Sequence, residues 1–146
     1  MRKTLRRFSG LKKLADNREA LAAKVLAESL AQLEAKQQEL DRMRAYADEY
    51  RRARHGKATD SVRMSNLNIF TGQLSGAIDM LEKDVALAMQ AFRADLEQWR
   101  SGYRRSKGLE QLVEQYRREL VRLEDQREQK HLDESVNQRG GKGPQL

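Results

Sequence analysis

The sequence predicts an all-α fold: two long helices paired as an antiparallel coiled-coil hairpin, with the second helix longer than the first. Three observations carry that expectation. Alternate steps of three and four residues from Met64 reach Leu67, Thr71, Leu74, Ile78, Leu81, Val85, Ala88, Phe92, Asp95, Trp99, Gly102, Ser106, Leu109, Val113, Tyr116, Leu120 and Leu123. Only Thr71, Asp95, Gly102 and Ser106 break the apolar series. The phase holds for about eight heptads, well past the three or four that signal a coiled coil. Charged residues make up 35% of the chain and aromatics only 5%, which suits long helices better than a thick core. A glycine-bearing break over residues 55–61 separates this run from an earlier helical pattern. So short a connection makes two long helices antiparallel neighbours.

Residues 1–10 are basic and are expected to form a flexible end. The hairpin is expected over residues 11–135. Its first helix carries Leu11, Leu14, Leu21, Val25, Leu26, Leu30, Leu33, Leu40, Met43, Ala47 and Tyr50, interrupted by Gln37 and Arg44. That spacing is nearer 3.6 than 3.5, with a slip at Val25 and Leu26. In the turn, Gly56 suits a left-handed cap, and Asp60 or Ser61 suits the N-cap of the second helix. A fold near residue 57 sets position i against about 115 minus i. The first helix then runs out opposite about residue 104, leaving Leu109, Val113, Tyr116, Leu120 and Leu123 as a bare apolar overhang. The segment 101–108 contains two glycines, each costing about 1 kcal/mol in a helix interior. The unbroken heptad phase across it favours a continuous helix over a loop returning as a third helix. Residues 136–146, with Gly140, Gly141, Gly143 and Pro144, are expected to form a disordered tail.

The net charge of +7 points to an acidic partner, which by charge alone includes nucleic acid, anionic lipid and acidic protein. The chain has no cysteine, so disulfide and thiolate chemistry are excluded. No apolar stretch is long enough to span a bilayer, and the basic start lacks the apolar core of a secretory signal. His55 and His131 stand beside no nucleophile or second ligand. No enzyme activity, metal or cofactor is expected. Arg2, Lys3, Arg6, Arg7, Lys12 and Lys13 fall at the same end of the hairpin as Arg104, Arg105 and Lys107. With only Tyr103 available for base stacking, nucleic acid is not the expected partner. A solvated basic end, or one facing acidic protein or lipid, remains open. Gly72 and Gly76 have the spacing that lets backbones approach closely. Near the turn, Met43, Tyr46 and Tyr50 fall beside Phe70, Leu74, Ala77 and Leu81. Phe70 and Ala77 widen the seam onto one flank, so this is either a thick coiled-coil end or a docking surface.

Met43-Arg44-Ala45-Tyr46-Ala47-Asp48-Glu49-Tyr50 closes the first helix, and a glycine-containing turn follows. Asn66-Leu67-Asn68-Ile69-Phe70, Leu74 and Ala77-Ile78 come next, with the charged run Glu124–Glu134 late in the chain. The order of these short elements resembles the FliJ family of flagellar type III export proteins. Ile78-Asp79-Met80-Leu81 departs from the glutamine that many members carry near Met80. The resemblance implies a cytoplasmic coiled coil like that of the rotary ATPase gamma subunit. It also implies peripheral association with the cytoplasmic face of the inner membrane at the flagellar base. The implied partners are the hexameric export ATPase, the export-gate membrane protein and export chaperones, and the chain in isolation is expected to be a monomer. By position, the gate would meet Met43, Tyr46, Tyr50, Phe70, Leu74, Ala77 and Leu81. The ATPase ring would meet Arg104, Arg105, Val113, Tyr116 and Leu120. The stalk proteins of virulence type III systems share the architecture, and a generic dimerising scaffold is the plainer alternative.

Overall fold

The computed structural model describes residues 1–55 and 61–140. Among these residues, α1 (Arg2–His55) and α2 (Ser61–Gly140) take in all but Met1, and there is no strand. They pack as an antiparallel hairpin with the second helix longer. The turn, including Gly56 and Asp60, and the last six residues, including Pro144, lie outside the described residues.

Every heptad position expected on α2, from Met64 to Leu123, is buried or half-buried. The helix continues unbroken through 101–108, so no third helix forms there. It also runs on through residues 136–140, which were expected to belong to the tail. From Ser135 to Arg139 nothing opposes a helix; the glycine cluster begins only at Gly140.

The expectations for α1 need more correction. The helix starts at Arg2 rather than near Leu11. Its buried and half-buried positions include the run Phe8, Lys12, Ala15, Glu19, Ala22, Leu26, Ser29, Leu33, Lys36, Leu40, Met43, Ala47 and Tyr50, with Thr4, Leu5, Ser9, Asp16 and Ala23 half-buried besides. That run is a strict alternation of threes and fours, so the seam has no slip. Leu11, Leu14, Leu21, Val25 and Leu30, expected in the stripe, are exposed. Small and charged residues take their places in the seam.

The hairpin divides into two compact units, one of Met1–Glu19 with Ser101–Leu146 and one of Ala20–Arg100. In the second unit the buried residues are Leu33, Leu40, Ala47, Leu74 and Leu81. Tyr50 meets Phe70, Arg44 pairs with Glu82 at 3.2 Å, and Ser29 donates to Asp95. In the first unit, among the described residues, only Ala15 and Val113 are buried. There Ser106 donates to Asp16, Phe8 stacks on Tyr116, and Arg2 pairs with Glu124 at 2.7 Å.

These pairs shift the expected register. Asp16 meets Ser106 instead of residue 99, and Ser29 meets Asp95 instead of residue 86, a displacement near one heptad. Such a shift leaves every apolar position in the seam, so the hydrophobic pattern alone cannot choose between the two registers. The polar breaks in α2 make the choice: Asp95 finds Ser29, Ser106 finds Asp16, and Gly102 faces Glu19. Side chains on both helices lean toward their own N-termini, which in an antiparallel pair also moves contacts further along α2. One consequence is that the overhang does not begin at Leu109. The first turns of α1 cover that part of the seam as far as about Glu124.

Candidate docking surfaces

In the Ala20–Arg100 unit, Met43, Tyr46 and Tyr50 of α1 and Phe70, Gln73, Leu74 and Ala77 of α2 line an open, largely apolar groove of about 360 Å³. Two helices bury only the faces they turn to each other, so flank residues remain accessible. Leu74 forms the floor, at 8% exposure. Tyr50 and Phe70 stand over it with ring centroids 4.5 Å apart and planes tilted by 44°. Phe70 keeps 41% of its surface and Tyr46 keeps 55%. An apolar floor with exposed aromatic walls is suited to gripping an apolar side chain of a partner.

The structure brings together six of the seven residues expected on this flank. Leu81 is not among them; it is buried in the seam. Gln73 joins the groove although polarity hid it from the pattern. Its position, three residues after Phe70 and four before Ala77, was the available signal. Cβ atoms built on Gly72 and Gly76 would meet nothing within 4 Å, so neither glycine serves a close approach between α1 and α2.

The residues expected at the other surface belong to the unit containing residues 1–19. Arg104 and Arg105 are exposed on α2. Val113 is 4% exposed, at the centre of that unit's seam. Tyr116 stacks on Phe8 with centroids 5.2 Å apart and planes 15° from parallel. Leu120 is half-buried and lines a groove with Met1, Arg2, Lys3 and Leu123. These three apolar side chains therefore hold α1 and α2 together and are not left as a bare seam. Nearby, Lys107 lies 5.6 Å from the Tyr103 ring centroid and 3.0 Å from Glu110. Hydrogen bonding to Glu110 is the main cause of its raised pKa.

Asp16 is held by partners on both helices. It accepts from Lys12 at 2.8 Å and from Ser106. The Lys12 bond first, and the Ser106 bond second, hold it below the ordinary aspartate range. His131 is exposed on α2, and the side chain of His55 lies outside the described residues. Among the described residues, no group of His, Cys, Asp and Glu could hold a metal, and no helix is long and apolar enough to cross a membrane.

A family model described as flagellar FliJ protein matches residues 4–144. No curated protein sequence matches the chain.

Proposed function

The chain belongs to the FliJ family and is a flagellar-export-related protein; on that premise we propose that it works by docking, with its two units serving two partners. The gate membrane protein takes the aromatic groove of Met43, Tyr46, Tyr50, Phe70, Leu74 and Ala77. Leu81 supports that groove from within the seam. The hexameric export ATPase takes the basic outer face around Arg104 and Arg105, and Val113, Tyr116 and Leu120 hold that face in shape. The chain thereby supports coupling of energy to export and the escort of chaperones. It works in the cytoplasm, peripherally at the inner membrane, and catalyses nothing itself.

The exposed rings of Phe70 and Tyr46 beside an apolar floor are the observation that carries the gate assignment. Exposed aromatics of this kind add little to folding and much to binding. Phe70→Ala tests it. The variant is expected to stay helical and to lose less stability than the roughly 3–5 kcal/mol of a fully buried phenylalanine. Its affinity for the gate protein should fall by about 2 kcal/mol or more. Wild-type gate binding by Phe70→Ala would remove the assignment.

A further inference from the structure

The net charge of +7 is concentrated in one unit. Residues 1–19 and 101–146 hold seventeen Lys and Arg against ten Asp and Glu, whereas residues 20–100 hold twelve of each. The basic unit also exposes apolar side chains that the seam does not use. Leu11 and Leu14 keep 43% and 48% of their surface, and Leu112 keeps 38%. Leu11, Leu14, Ala15 and Arg18 from α1, with Arg105 and Leu109 from α2, line a groove of about 410 Å³. Arg18 and Arg105 are exposed at its edge. Neither makes an ion pair among the described residues, although Lys12, Lys107, Arg118 and Arg122 in the same unit all do.

We propose that this groove receives an amphipathic, acidic helix from a partner protein. The groove's walls repeat at helical spacing: Leu11, Leu14 and Arg18 on α1, and Arg105 and Leu109 on α2. An occupant with the same repeat fills such a groove as a third coiled-coil strand, and a helix provides it. The leucines take its apolar face. The unpaired guanidiniums at the rim take carboxylates, with bidentate geometry available to each. Charge selects against a second copy of this chain, because two such faces, each belonging to a unit with excess positive charge, repel. The groove shares Arg105 with the face assigned to the ring, but the inference rests on the groove's leucines and guanidiniums and not on that assignment.

The test uses the full chain and a labelled synthetic helix of about three heptads with leucine at the two seam positions and glutamate elsewhere. A lysine-for-glutamate version serves as the control. Fluorescence anisotropy at about 0.15 M ionic strength should show saturable binding of the acidic helix and none of the basic one. Leu11→Ser with Leu14→Ser should weaken binding by at least about tenfold, with helicity unchanged by circular dichroism. Arg18→Glu with Arg105→Glu should reverse the preference toward the lysine helix. Four results would overturn the proposal. The first is no saturable binding. The second is binding indifferent to both leucine substitutions, which is general charge attraction. The third is leucine-dependent flotation with phosphatidylserine vesicles without peptide binding, which assigns the groove to lipid. The fourth is sedimentation showing a dimer that Leu14→Ser dissolves, which assigns it to a second copy.

Discussion

The two units share one heptad pattern and differ in what they place inside it. Residues 20–100 are electrically neutral overall and bury four leucines and an alanine. The unit of residues 1–19 and 101–146 carries the excess charge and, among its described residues, buries only an alanine and a valine. Its seam is laced with Lys12, Asp16, Glu19, Gly102 and Ser106. Buried apolar area, at roughly 25 cal/mol per Å², dominates the stability of a two-helix seam. Polar layers add little to stability and do more to fix the register. The difference teaches a division of labour: one unit holds the hairpin together, and the other aligns it and presents charge.

The substitution expected to have the largest effect is Leu40→Ala. Leu40 is 3% exposed in the neutral unit, and its truncation should cost about 2–4 kcal/mol in a denaturant melt. Val113→Ala removes less volume from a seam already lined with small and polar groups, and should cost about 1–2 kcal/mol. Equal losses would erase the contrast between the two cores. Gly102→Ala should go the other way. A Cβ built there lies 3.6 Å from the Glu19 Cα, an ordinary van der Waals contact. Alanine then gains up to about 1 kcal/mol of helix propensity without displacing α1. A destabilised Gly102→Ala would mean that the helices approach more closely than this.

The smallest expected effect is a response to pH. The folded pKa of Asp16 is depressed, chiefly by its bond to Lys12. A depressed carboxylate contributes stability above its unfolded pKa and loses it as pH falls through the lower folded value. The layer of Asp16 and Ser106 should therefore loosen at acid pH, below the ordinary aspartate range. Amide exchange around residues 12–19 and 102–109 should accelerate there, and Asp16→Asn should remove that dependence.

Much of this was legible in the sequence. The α2 seam was readable residue by residue, because its apolar positions recur in one heptad phase from Met64 to Leu123. The α1 seam was not, because α1 spreads leucines over two faces and puts lysine, glutamate and serine on the one it buries. Leu11, Leu14, Leu21, Val25 and Leu30 drew the expected stripe away from Ala15, Ala22 and Ser29. The register eluded the hydrophobic pattern because a heptad shift preserves it. Asp95 and Ser106, read as interruptions, in fact set the alignment by their hydrogen bonds to Ser29 and Asp16. The aromatic groove was nearly complete in advance, since Phe70 and Ala77 stand beside the seam in a helix whose phase was already known. The groove at Leu11 and Arg18 is hidden from the pattern for the same reason, because Leu11 and Leu14 fit the expected interior stripe as well as the exposed flank.

Residue-resolved amide hydrogen exchange tests the division of labour most directly. Protection reports local opening, and units with fewer buried apolar contacts open first. Amides of residues 33–47 and 74–81 should exchange more slowly than those of 8–16 and 106–116. Added salt should narrow the gap by screening repulsion within the basic unit. Equal protection in both units, or greater protection in the basic one, would contradict the account.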